Sequence, residues 1–311
     1  MAGPSLSRSR AIKVAGAVLA AGSLAMVVAG VLEHWPTVRQ WRPDGPGLGA
    51  VVTAALLYGL ALVAAAEAWH RLLAYWSGRP GDRRAVWHAY CVTQIGKYLP
   101  GNVFHFIGRH GWVRALGYDD AAIVATTASE LLLMLTAAGT VALVVLLAFP
   151  LPQGGALWDL LASDAIPFGP LPWLAGLAVL AGAVLMARRF RVGPGDVGSL
   201  ATAFGLLLVL FAVMGLAFVA VVWAVGGSGA PALAGVAVLA WIVGFAVPGA
   251  PGGIGVRELV LVATVQPSEG AAVALIAAAL FRLVTTLGDV VCLAIGWRLG
   301  PSRPAARHSA P

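Results

Sequence analysis

The chain is 311 residues long, 60% apolar and only 11% charged, with a mean hydropathy of +0.88. A soluble domain is about a quarter charged, so this composition excludes a soluble fold and points to an all-α polytopic membrane protein. The net charge of +7 does not mark a nucleic-acid binder: Lys and Arg gather in short loops between apolar runs, the pattern that sets membrane orientation.

Several runs exceed about 18 residues with almost no charge, enough to cross a hydrocarbon core of about 30 Å. The first, Ala11–Leu32, is too long for the roughly 7–15-residue apolar core of a signal peptide, and reads as an uncleaved transmembrane helix. Further spans are expected at Leu48–Leu73, about Asp119–Leu147, Leu171–Ala187, Leu200–Val225 and Ala271–Trp297. Glu67 lies near the inner end of the second span, where Arg71, four residues on, explains it as an i,i+4 pair. Cys91 and Cys292 sit in or beside apolar stretches and read as small buried hydrophobes, without a disulfide framework or metal motif.

Basic residues precede the first span (Arg8, Arg10, Lys13) and follow the second (Arg79, Arg83, Arg84), the fourth (Arg188, Arg189, Arg191) and the last (Arg298, Arg303, Arg307). The links Pro150–Pro170 and Gly226–Gly229 have no base. Both termini are therefore expected in the cytoplasm and those two links outside; Arg39 and Arg42 run against this, beside Glu33 and Asp44.

Two regions, Ala85–Leu116 and Ala230–Gln266, are apolar but broken by Pro and Gly. Each begins and ends on one side of the membrane by the same reasoning, so each is expected to be a re-entrant hairpin. The total is six spans plus two hairpins, or eight spans if the second region crosses fully. The order span, span, hairpin, span then occurs twice with inverted topology, in halves at about 11–149 and 171–299 of one membrane domain, followed by a disordered cytoplasmic tail, 299–311. "PGNVFHFIGR" (Pro100–Arg109) and "PGAPGGIGVR" (Pro248–Arg257) open alike and place Arg nine residues later. Gly/Pro-interrupted segments at matching positions of inverted halves are a pointer to a transporter's site. Non-helical backbone at membrane depth persists only where protein or a water-filled cavity covers it.

Charges within apolar segments face the same constraint, each costing about 2.5–3.5 kcal/mol at a helix centre. Glu130 lies mid-span, and Arg282 and Asp289, seven residues apart, share a face. Glu130 and Arg282 hold similar places in the two halves and are expected to approach each other. Arg257 and Glu258 follow Gly252, Gly253 and Gly255, whose bare amides at a helix N-terminus suit a phosphate; tight packing of a glycine turn is the plainer reading. Lys97 and Arg109 flank the first break, with Asn102 and His105 between them; they would capture phosphate or merely snorkel to the interface. His105 and His110 lack Cys or carboxylate companions for a metal site.

The stretch "QIGKYLPGNVFHFIGRHGWVRALGYDDAAIVATTASELLLML" resembles the first signature of the lysylphosphatidylglycerol synthase transmembrane-domain family, also described as flippase-like, and "FAVPGAPGGIGVRELVLV" resembles the second. The resemblance covers nearly the whole chain. It implies a flippase domain for a lipid or lipid-linked glycan, with Arg109 and Glu130 from the first signature and Gly252, Gly253, Gly255 and Glu258 from the second as functional residues. Arg257 is not carried over from the family. No aminoacyl-transferase domain follows the membrane part, so synthesis of aminoacylated phosphatidylglycerol is not expected. The expected guest is a phospholipid with a phosphate head group, aminoacylated in one version, or a polyprenyl-phosphate sugar, with no cofactor and no metal. A glycosyltransferase or lipid-modifying enzyme, and further copies of the chain, are the protein partners this class would take. The alternatives are a membrane enzyme acting on lipid phosphates, a small-ion channel and an accessory subunit of a glycosyltransferase.

Overall fold

The computed structural model describes residues 32, 35–38, 41–42, 44–79, 81–98, 103–149, 196–247 and 253–300. The expected spans Ala11–Leu32 (save Leu32) and Leu171–Ala187, both Pro-Gly breaks and the C-terminal tail lie outside them. Among the described residues the fold is all-helical.

After a single turn at Trp35–Val38 come α1 (Gly45–Ser77), α2 (Arg83–Thr93) running into a 3-10 turn (Gln94–Tyr98), α3 (Phe104–Ala115), α4 (Asp120–Ala148), α5 (Val197–Ala224), α6 (Ala232–Ala246), α7 (Val256–Glu269) and α8 (Ala271–Leu299). Their limits have local causes. Asp44, Asp82 and Asp119 cap α1, α2 and α4, each carboxylate accepting from backbone N–H groups of the first turn, which satisfies donors the helix leaves open. α1 stops at Gly78, whose φ of 67° places it in the left-handed region that glycine adopts without penalty.

α1, α4, α5 and α8 are long and apolar enough to cross a membrane, as an integral membrane protein requires; α6 is apolar but shorter. Their outward faces are greasy: Leu56, Leu57 and Leu60 of α1, Val144 and Leu147 of α4, and Leu283 and Leu287 of α8 are all exposed. Such surface would aggregate in water and is satisfied by lipid chains. The inward faces are small. Ala54, Ala55, Ala61, Ala65 and Ala66 of α1 are buried, and small residues let helix backbones approach closely in lipid. One close approach is at Gly288 of α8, where an added Cβ would lie 2.5 Å from the Tyr58 ring and 3.1 Å from the Gly59 amide.

α1 packs most extensively on α5. The other contacts fall into pairs: α1 on α8 with α5 on α4, α2 on α8 with α6 on α4, α3 on α4 with α7 on α8. Exchanging the sets α1–α4 and α5–α8 therefore reproduces the packing pattern. The outer ends of each broken pair are also tied together. Arg79, after α1, donates to the carbonyl of Gly117, before α4, at 2.7 Å. Ser228, after α5, donates its backbone N–H to Glu269, at the end of α7, at 2.8 Å. Glu67 joins α1 to α2: its carboxylate accepts from Arg71 at 2.7 Å, and from Arg83 and Trp87 at 2.9 Å each. The expected i,i+4 pair is present and is one part of a larger cluster.

Candidate functional site

The inner ends of both broken pairs meet α1, α4, α5 and α8 around a cavity of about 100 Å³, ample for several water molecules. Eight of the twelve residues expected at a site line it: Lys97, His105, Arg109, Glu130, Gly253, Arg257, Arg282 and Asp289. Glu258 adjoins it through Arg282. Gly255, with φ of 83°, turns the chain into α7. Asn102 and Gly252 lie outside the described residues.

The charges are arranged in pairs. Arg109 Nη1 donates to Glu130 Oε2 at 2.7 Å, and each side chain is only 2% exposed. α3 delivers Arg109 beneath three aromatic rings, with its guanidinium carbon 3.7 Å from the Tyr90 centroid and 5.2 Å from that of Trp69. A planar cation on ring faces recovers part of its lost hydration. Lys97 Nζ donates to Asp289 Oδ1 at 2.6 Å, and the Tyr98 hydroxyl donates to Asp289 Oδ2 at 2.5 Å. Glu258 accepts from the Gly255 amide at 2.7 Å and faces Arg282 at 3.6 Å.

This corrects one expectation. Glu130 does not pair with Arg282: its partner is Arg109, 21 residues earlier, and Arg282 faces Glu258. Matching positions in two halves fix neither side-chain reach nor charge complement, and each acid faces a base on the helix packed beside it. The shared face of Arg282 and Asp289 does point inward, with Asp289 fully buried. Lys97 is not a snorkelling side chain, since it is held by Asp289.

Among the described residues, Arg257 and His105 of the cavity have no ion pair and no side-chain hydrogen-bond partner. Among the described residues, Arg257 makes no hydrogen bond or ion pair; its stem rests against Gly244 and Gly253, where an added Cβ would come within 2.3 Å and 2.7 Å of its side-chain carbons. His105 is buried with its ring on Phe106, and its Nδ1 has no hydrogen-bond partner. His110 is elsewhere, paired with Asp120 at 2.8 Å. Among the described residues no group of three His, Cys, Asp or Glu is placed to hold a metal ion.

The rest of the lining includes apolar side chains: Leu210, Phe211 and Met214 of α5, Trp241 and Phe245 of α6, and Met134 of α4. Trp241 stacks on Phe245 at 5.1 Å and meets the edge of Phe211 at 4.7 Å. Sequence reasoning missed these apolar residues and the tyrosines Tyr58, Tyr90 and Tyr98 that line the cavity with them. A tyrosine in mid-span is an apolar body with a polar tip, and Tyr58 in the centre of α1 carried that signal. The apolar lining carried none, because every span is built of the same residues. No family model matches the sequence, and no curated protein matches it.

Proposed function

We propose that the chain is a flippase of the cell membrane, with both termini in the cytoplasm, that carries a lipid with a phosphate head group between leaflets. The observation that carries this reading is the mixed lining of the cavity. Basic side chains of the broken pairs and acidic side chains of α4 and α8 line it together with aromatic and thioether groups. An amphiphile uses both kinds of lining, whereas an ion or a soluble metabolite needs only the charged one.

The broken elements support re-entrant hairpins in an inverted repeat of the lysylphosphatidylglycerol synthase transmembrane-domain type. α3, α6 and α7 have 12, 15 and 14 residues, which at 1.5 Å per residue reach about 18–22 Å, short of the roughly 30 Å core. Each pair also leaves and returns beside the same neighbouring link. Rocking of one half against the other would expose the cavity to alternate sides. A lipid-phosphate enzyme would require a nucleophile beside a base, and His105, without a hydrogen bond at Nδ1, has no such companion among the described residues.

The experiment is leaflet exchange in proteoliposomes. A fluorescent anionic phospholipid is reconstituted with purified protein, and the outer-leaflet dye is reduced with a membrane-impermeant reagent. Protein-dependent loss of the protected half of the signal is expected. Protection equal to that of protein-free vesicles, for phospholipid and polyprenyl-phosphate probes alike, defeats the proposal.

A further inference from the structure

Among the described residues the charges around the cavity do not balance. Lys97, Arg109, Arg257 and Arg282 are four cations, and Glu130, Glu258 and Asp289 are three carboxylates. The carboxylates are all engaged: Glu130 by Arg109, Asp289 by Lys97 and Tyr98, Glu258 by a backbone amide and Arg282. The unmatched charge is positive and belongs to Arg257, which lines the cavity without an ion pair among the described residues.

From this we infer that the cavity takes a head group that is anionic and bears no ammonium: a phosphate ester, plain or linked to a neutral sugar, and not an aminoacylated phospholipid. The inference rests on the proposed lipid site and narrows it. An ammonium entering here would meet no open carboxylate. To gain one it would have to displace Lys97 or an arginine from its acid, leaving that cation uncompensated in a largely buried site. A phosphate entering here meets the Arg257 guanidinium, whose fork of N–H donors fits two phosphate oxygens. The Nε–H of Arg109, which also lines the cavity, is buried and without an acceptor among the described residues, a further donor for such a guest.

The test is competition for binding. Purified protein in phosphatidylcholine nanodiscs is loaded with fluorescent phosphatidylglycerol and challenged with phosphatidylglycerol, its lysyl ester, a polyprenyl monophosphate, and inorganic phosphate. The two anionic lipids are expected to compete at least about tenfold better than the lysyl ester, the factor that one unmatched charge in a low-dielectric site readily supplies. Arg257→Gln should reduce that preference to within about twofold, and Arg257→Lys should keep most of it, since the charge but not the fork is retained. The basic residues at the bundle end are untouched by either change, so a preference that survives Arg257→Gln belongs to the surface and overturns the inference. A lysyl ester that competes as well as phosphatidylglycerol also overturns it, and the wild-type ranking gives this result even if Arg257→Gln fails to fold. Binding of inorganic phosphate that depends on Arg257, with no lipid bound, upholds the anion preference and removes the lipid-transport reading instead.

Discussion

The Arg109–Glu130 pair offers the sharpest check on the charged lining. Both side chains are 2% exposed and 2.7 Å apart, so neither charge is served by water. Removing one partner leaves the other buried and unmatched, which costs about 3–5 kcal/mol. Removing both together with apolar residues of similar size is close to neutral in other buried pairs. Here it also forfeits the stacking of Arg109 on Tyr90 and Trp69, about 0.5–2 kcal/mol. Arg109→Met and Glu130→Met are therefore each expected to cost about 3–5 kcal/mol, and the double variant no more than about 2 kcal/mol. At about 2 °C per kcal/mol, the low end for long chains, each single variant should melt roughly 6–10 °C below wild type and the double variant within about 4 °C of it. Thermal unfolding in detergent, followed by retention of the monodisperse peak, reads these shifts. The double variant should remain inactive in leaflet exchange although it is folded. Single losses that simply add in the double variant would mean that the two residues do not act on each other, and the reasoning from burial would be refuted.

Glycine packing gives a contrast between two helices. Gly288→Ala must push α8 off the Tyr58 ring and the Gly59 backbone and should cost about 1–3 kcal/mol, whereas Gly139→Ala on α4, with open space around its added carbon, should be neutral or stabilising by up to about 1 kcal/mol; thermal unfolding measures both. At the Glu67 cluster, Arg71→Ala and Arg83→Ala should each cost less than about 1 kcal/mol because those side chains are 44% and 59% exposed and surface pairs are weak. Glu67→Ala removes the common acceptor of both and of the Trp87 N–H, and should cost about 1–3 kcal/mol in the same assay. Cys91 and Cys292 are both buried, so a maleimide added to folded protein should label neither at an appreciable rate and should label both in denaturant; fast labelling of the folded protein would contradict their placement.

What was legible in the sequence was whatever a single helix encodes. Four of the six expected spans fall within the described residues and appear as long apolar helices, because a run of uncharged residues is itself the requirement for crossing lipid. Spacing within a helix was equally readable: Glu67 with Arg71, and Arg282 with Asp289 on one inward face. Partners across helices were not readable. Lys97 reaches Asp289 over 192 positions, and no periodicity in either helix records which other helix lies opposite. Glu130 was assigned to Arg282 from matched positions alone, but a buried carboxylate takes whichever cation packing brings within about 3 Å, and that was Arg109 on the adjacent helix. The apolar lining was invisible for the opposite reason. Trp241 and Phe211 differ in no local respect from aromatic residues that face lipid.

The pairs also show where the two halves have diverged. In the first, the base is on the second helix of the broken pair (Arg109) and the acid on the long helix after it (Glu130). In the second, the acid is on the broken pair (Glu258) and the base on the long helix (Arg282). Both pairs tie the same kinds of element together with the signs exchanged, and each balances itself. The surplus must then come from residues outside these pairs. Lys97 of the first broken pair and Asp289 of α8 cancel each other across the halves, which leaves Arg257, the residue beside Glu258. By the aligned motifs its counterpart is Arg109, whose charge is already taken by Glu130. The two self-balanced pairs hold the broken elements in place at either end of the repeat. On the proposed reading, recognition of an anion centres on the second half, at a cation whose stem occupies the space left by Gly244 and Gly253.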